Sequence, residues 1–447
     1  MAFQLTKEFI EKIEFLIEKR DTDSIKNKLK TILAPDVAEI IQTLDFNKSE
    51  YLFSQFNEER AAEILIELDE DVREKLLRSL SSKKIVTELI YNLESDDAAD
   101  VIQELSDEKK QEVLSNITNP KQASDIADLL SYRENSSGAL MAKELIKVHA
   151  QWSILRCVTE MRKQAQAINK VYTIYVVDNH NILLGTISLK TLLLSHEKTF
   201  IESIYNRQVI SVTTNESAEE IAKLMNKYDL IVLPVVNDHG QLVGRITIDD
   251  VVDFIKEEAE KDYQMASGIS DNVESFDNIF TITKARIPWL IIGMIGGLLG
   301  AQIIGLFEIE KNPILAFFIP LIAAMGGNVG VQSSAIIVQA IASKNLGVNN
   351  WSNRFFKELG VALINGLICG TIVIFACTWI YPQPHIPIIV SLSLISVMIF
   401  AALFGTFVPL ILNNYRIDPA LATGPFITTM NDVIGLIIYF AIAKAFI

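Results

Sequence analysis

The sequence predicts an α-helical membrane protein. Five transmembrane helices are preceded by an all-α, superhelical N-terminal domain and a duplicated α/β module. Three observations carry this expectation. Five apolar segments fill the chain from 286 to 447, each long enough to supply the ~20 residues that cross a bilayer. Before residue 131 a leucine-ending helical phrase keeps returning. Between 138 and 255 one order of elements (helix, strand, turn, strand) occurs twice. The expected domains are 1–131, 138–255, a connecting helix over 256–285 and a membrane domain over 286–447.

The N-terminal phrases are PDVAEIIQTL to Leu44, ERAAEILIEL to Leu68, VREKLLRSL to Leu80, IVTELIYNL to Leu93 and DDAADVIQEL to Leu105. Such repeats stack, each burying its apolar face on its neighbours. In SDDAADVIQEL, Asp96 and Asp100 stand four apart on one helix face. They repel by a few tenths of a kcal/mol unless a cation or base lies between them. The plainer reading is a solvated acidic face behind an N-capping Ser95.

The two α/β copies read VYTIYVV, DNHN, ILLGTISL and then IVLPVV, Asn237 to Gly240, QLVGRITI. Helical stretches SILRCVTEMRK and SAEEIAKLMNKYD precede them, so about 60 residues are duplicated. The duplication resembles a tandem pair of CBS domains, a sensory module. CBS pairs often bind adenine nucleotides through G-h-h-[ST]-x-x-[DN]. The second copy satisfies the phrase with Gly244, Thr247 and Asp250, whereas Thr191 replaces the acid after Gly185 and Ser188 in the first. The resemblance therefore implies at most one site per chain for ATP or a relative of it, and only in the second copy.

No proline interrupts the chain between 250 and 287, and only Gly268 weakens it, so one or two long helices are expected there. Acids suit the first turn of such a helix. Glu257, Glu258, Glu260 and Asp262 lie beyond that turn. Clustering them costs energy that cations offset.

The apolar segments run over about 287–307, 313–342, 356–381, 386–412 and 419–447. With the acidic half inside, Lys344, Arg354, Lys357 and Arg416 fall in inner loops, while YPQPHIP outside has no Lys or Arg. This is the positive-inside pattern, with the C-terminus outside. The last segment carries Asp432 near its middle. A charge at that depth costs at least ~2.5–3.5 kcal/mol and normally faces a bundle interior or water. Thr428, Thr429 and Asn431 surround it, and Gly424-Pro425 bends the helix and frees carbonyls. Such oxygens suit Mg2+ or Ca2+. The plainer reading is an acid hydrogen-bonded for packing. In the second segment, GGNVGVQSSA offers three glycines for close approach, with Asn328, Gln332, Ser333 and Ser334 lining one region; helix packing alone is again the alternative.

Charge is unevenly spread. Of 40 basic and 55 acidic residues, the part from Ile287 onward holds six and five, leaving a net −16 on the first 286. That disfavours nucleic acid and anionic lipid as partners and favours cations. The N-terminal stretch has no uninterrupted apolar core, so no signal peptide is expected. Cys157, Cys369 and Cys377 lack metal-site spacing and read as small apolar residues.

Segment order, GGNVG-x-QSS and DPAL-x-x-GPF-x-TT-x-x-DV-x-G together resemble the bacterial MgtE magnesium channels along the whole chain. The resemblance implies a homodimer in the inner or plasma membrane, with a Mg2+ pore between second and fifth membrane helices. Asp432 matches the family's selectivity acid. Asp418 matches the acid at the cytoplasmic mouth, although a cap before Pro419 explains its type equally well. Asp96, Asp100, Asp229, Asp250, Asp253, Glu258 and Asp262 match cytosolic ligands through which Mg2+ closes the channel. Two departures, Ser217-Ala218-Glu219 for D-x-E and Lys261 for an acid, put at least one cytosolic site in doubt. The alternatives are a broader divalent-cation transporter and a membrane-anchored nucleotide sensor that does not conduct. The sensor leaves Asp432 unexplained. An intramembrane aspartyl enzyme is not expected, since no glycine-aspartate catalytic phrase accompanies that acid.

Overall fold

A computed structural model describes residues 3–168, 170–270, 273, 278–307, 312–342, 351–381, 383, 385–422 and 424–446. It divides into two compact units, Met1–Ile255 and Lys256–Ile447.

The first unit opens with short helices, α1 (Lys7–Glu18), α2 (Thr22–Leu29) and onward to α10 (Pro120–Leu129). Several of them are started by side-chain caps, such as Asp21 Oδ1 accepting from Ser24 N at 3.2 Å. The phrase-ending Leu44, Leu68 and Leu105 are buried, and Leu80 and Leu93 pack half-buried against the same core. Arg73 pairs with Glu104 across two phrases, its Nε 2.9 Å from Oε2.

The repeat of sequence in the α/β module is a repeat of topology. Strands β1 (Ile146–His149), β2 (Ile174–Val177) and β3 (Leu183–Ile187) form one sheet in that order. Strands β4 (Val212–Thr213), β5 (Val232–Val236) and β6 (Leu242–Thr247) form the other. In each, the first pair is parallel and the second antiparallel. The register slips at matching places, Val176/Val177 and Val235/Val236. The hairpin turns join the copies: Leu183 N donates to Gly240 O at 3.1 Å and Leu242 N to Asn181 O at 2.9 Å. The copies differ in their cores. Met141, Val212, Ile221, Leu233, Val235, Ile246 and Val251 belong to the same buried cluster as the N-terminal helices, while Ile146, Val148, Ile174 and Ile187 form a separate one.

Between the α/β module and the membrane runs the helix Ile248–Ala266. It stops there because Gly268 takes a left-handed φ of +82°. The connecting helix expected to reach 285 is therefore shorter. The first membrane helix starts at Ile279 rather than 287, with Asn278 Oδ1 capping it through Thr281 N at 3.0 Å.

Among the described residues five spans are long and apolar enough to cross a membrane: Ile279–Leu306, Pro313–Ile341, Phe355–Ile380, His385–Asn414 and Pro425–Phe446. The fourth is the most buried and packs against the second, third and fifth. The fifth starts at Pro425, after a separate turn Pro419–Ala422. There the chain is in backbone-to-backbone contact with the end of the connecting helix. A Cβ on Gly424 would lie 2.3 Å from Ala266 O, and one on Gly268 would lie 2.5 Å from Pro425 Cγ.

Candidate cation sites

In the membrane unit the second span meets the fifth across glycines. Thr428 and Asp432, one turn apart, share a face of the fifth span. That face and Ala323, Ala324, Gly327, Asn328, Val331 and Gln332 of the second span line a cavity of about 340 Å³. Gly327 makes room for it, since a Cβ there would lie 3.1 Å from Thr428 Cγ2. Asn328 and Gln332 are exposed, as expected of residues on an aqueous path, and Asp432 is half-buried. Six waters at ~30 Å³ each need about 180 Å³, so the cavity is large enough for a hexahydrated divalent ion.

Two residues expected to line the pore, Thr429 and Asn431, do not line this cavity. Thr429 packs on the first span: a Cβ on Gly296 would lie 2.0 Å from its Cγ2. Asn431 is 1% exposed and donates from Nδ2 to Gly326 O at 3.3 Å, inside the bundle. Neighbouring residues on a helix point about 100° apart, so one face cannot hold 428, 429, 431 and 432 together. Asp418 is exposed and accepts from Ala420 N at 2.8 Å, capping the turn before the fifth span.

In the first unit, acids converge where the N-terminal helices meet the α/β module. The helix Ser95–Gln103 brings Asp96 and Asp97 toward the start of the helix at Ile248. Ser95 is its first residue rather than its cap. Its N and Oγ donate to Glu144 Oε2 at 3.2 and 2.8 Å. Glu94, Asp96 and Glu144 each bring a carboxylate oxygen within 4.8 Å of the other two. Burial, and then the charges of Asp97, Asp250 and Glu94, push Asp96 well above the usual carboxylate range. Burial, and then Asp250 and Asp100, push Asp97 up to about 7. Asp250 is also raised by burial, although Thr247 N and Oγ1 donate to its Oδ2 at 3.0 and 2.5 Å. Such a set of buried, mutually repelling carboxylates fits a hard divalent cation. One basic group reaches it from β6. The buried Arg245 donates from Nη2 to Glu94 Oε2 at 2.6 Å and from Nε to Glu144 O at 2.5 Å.

The residues of the expected nucleotide phrase lie at the end of β6 and the start of the next helix. Gly244 lies under Met141, where a Cβ would be 2.6 Å from Sδ, and Thr247 is buried. At the head of the connecting helix the Asp250 carboxylate reaches back to Thr247 N, one half of a capping box. In this arrangement Gly244 is packed, Thr247 and Asp250 are hydrogen-bonded to each other, and Asp250 also faces the acid cluster.

The other expected ligands are scattered. Asp253 faces Glu67, whose carboxyl is raised by burial and then by Asp253. Asp229 is exposed, in the left-handed position (φ 51°) that ends the helix Ala218–Tyr228. In the second unit, Glu258 lies 3.7 Å from Lys261 Nζ, and Asp262 is half-buried. Sequence reasoning missed Glu94, Asp97, Glu144, Glu67 and Arg245. Glu94 and Asp97 adjoin a phrase it had singled out; nothing local marks the other three.

A multi-pass bundle with a carboxylate in a cavity between two spans, preceded by an acidic helical and α/β unit, has the make-up of a membrane transporter with a cytosolic part. The family profile described as MgtE, divalent cation transporter, matches residues 319–442. The MgtE intracellular N domain matches 33–135, and the CBS domain matches 138–196 and 201–257. The chain is 31% identical to the magnesium transporter MgtE of Thermus thermophilus over 435 residues, 96% of each chain. It is 33% identical to that of Enterococcus faecalis over 331 residues, 73% of this chain and 72% of the other. A solved structure of the cytosolic domain of the Mg2+ channel MgtE in complex with ATP is similar with a TM-score of 0.52 and 29% identity, over 55% of this chain and 99% of that one. The chain belongs to the MgtE family.

Proposed function

We propose that the chain is a Mg2+ channel for magnesium uptake, working as a homodimer that cytosolic Mg2+ closes. Asp432 in its cavity carries this reading. Mg2+ sheds its octahedral waters reluctantly. A cavity that takes the hydrated ion, with a carboxylate facing its waters and Thr428, Asn328 and Gln332 as further oxygen donors, avoids that cost. The names of the relatives support Mg2+ as the ion. The broader family description, divalent cation transporter, makes passage of other divalent ions the second reading.

Closure follows from the acids of the first unit. Asp96, Asp97 and Asp250 are held where full ionisation of all three is costly. Bound Mg2+ supplies the positive charge that lets them stay ionised in contact, which favours the compact state. Glu94, Glu144, Asp100, Asp229, Asp253, Glu258 and Asp262 are further candidate ligands. The connecting helix carries the change to the pore through its contact at Gly424 and Pro425, two turns from Asp432. ATP is a candidate effector through its presence in the related cytosolic domain, with Gly244, Thr247 and Asp250 as the candidate contacts.

The test is Mg2+ flux into liposomes holding the purified full chain. Asp432→Asn removes the carboxylate that faces the ion's waters, and since a hydrogen bond to a charged group contributes ~1.5–3 kcal/mol, flux is expected to fall by about 10- to 100-fold. Wild-type flux in a folded Asp432→Asn protein would overturn the pore assignment.

A further inference from the structure

We infer that Asn431 is a positioning residue: its buried amide fixes the rotation of the fifth membrane span and so aims Asp432 at the cavity. This rests on the transport reading for its consequence, but its geometry stands independently. The side chain sits in a hole cut by Gly326 and Gly330 of the second span. A Cβ on Gly330 would lie 2.0 Å from Asn431 Nδ2 and 2.7 Å from Ile427 Cγ2. The fourth span closes the hole behind, because Gly405 lets Gly330 O approach to 2.3 Å from where its own Cβ would be. Nδ2 donates to Gly326 O, while Oδ1 has no hydrogen-bond partner among the described residues.

A half-satisfied amide in an apolar bundle is unfavourable compared with a leucine or alanine of the same fit. Single buried asparagines are retained elsewhere because they specify register and orientation at the expense of stability. The geometry matches that use. Ile427 and Asn431 face the glycine hole, Thr428 and Asp432 the cavity, and Thr429 the first span. Turning the helix by one residue position would take Asp432 off the cavity. Close packing of Ile427 and Thr429 on glycines also favours this rotation, and the hydrogen bond from Asn431 Nδ2 is its directional element.

The rotation can be read by thiol accessibility in the full-length protein with Cys157, Cys369 and Cys377 replaced by alanine. A single cysteine is placed at Thr428 or at Thr429 and labelled with a membrane-impermeant, positively charged methanethiosulfonate. With Asn431 intact, Thr428→Cys should react much faster than Thr429→Cys. Interhelical hydrogen bonds in membranes bias their states by about 3- to 20-fold, so Asn431→Ala should shrink the ratio of the two rates by a factor in that range. Gly330→Ala, which pushes the amide out from the other side, should do the same, and it serves if Asn431→Ala assembles poorly. Asn431→Leu separates hydrogen bond from bulk: a collapsed ratio supports the lock. An unchanged ratio in Asn431→Leu, or in both alanine variants, overturns it. Mg2+ flux measured on the same preparations separates the two failures. Absent flux in the protein with Asn431 intact counts against transport, whereas the thiol ratio reports the helix regardless of what it conducts.

Discussion

Asp432 could be singled out without any structure, because a lone carboxylate in an apolar run is costly wherever it points. Its neighbours could not be sorted the same way. Thr428, Thr429 and Asn431 are polar residues within one turn, and only the glycines on other helices decide which of them meets water. Thr429→Ala should therefore keep Mg2+ flux within about threefold of wild type, the size of one weak interhelical contact. A loss as large as that of Asp432→Asn would return Thr429 to the pore. In the cytosolic cluster, Asp97 is held near pH 7 by burial and by Asp250. Removing that charge should stabilise the metal-free protein by about 1–3 kcal/mol at neutral pH. The same Asp97→Asn change should weaken its stabilisation by Mg2+. Thermal unfolding with chelator and with Mg2+ measures both; unchanged midpoints in each would mean the acid is solvated.

At the scale of elements, the helices and strands were readable because their periods are local, whereas the joints between them were not. Gly268 was visible as a weak point, yet its left-handed φ and the resulting stop at Ala266 needed the structure. The Thr247–Asp250 pair shows that one short phrase suits two roles: a hydroxyl three residues before an acid suits a ribose, and it equally suits the start of a helix. Arg245 and Glu94 are 151 positions apart, and no local pattern joins them. Their buried pair ties the N-terminal helices to β6 without any metal. Breaking one side should be expensive, about 3–5 kcal/mol for Arg245→Gln, since Glu94 is left among other acids. In a double-mutant cycle with Glu94→Gln, a coupling of about 1–3 kcal/mol is expected by urea unfolding in chelator, and simple additivity would refute the tie.

For the whole molecule, the five spans and the duplicated module followed from length and repetition alone. What stayed hidden was that the second α/β copy shares its core with the N-terminal helices, while the first keeps its own. Two stretches that read as separate domains should accordingly melt as one. Calorimetry of the 1–255 fragment, which the structure shows as a compact unit, should give a common transition for the N-terminal helices and the second copy. Removing residues 1–131 should expose Val212, Leu233 and Ile246 and lower the melting temperature of what remains. An unshifted transition in the truncated protein would mean the shared core contributes little.

The contact between the connecting helix and the fifth span has a genetic consequence. At Gly268 and Gly424 the two chains meet with no side chain from either glycine, and each already holds a positive φ. Any amino-acid replacement of a glycine adds at least a Cβ, and here each such addition collides with backbone or with Pro425. A selection for altered gating, growth in magnesium-poor medium against survival in magnesium-rich medium, should thus return these two codons far more often than the many acidic ones. Replacing an acid changes a charge and leaves the backbone in place, whereas at this seam any side chain added to either glycine moves one segment against the other.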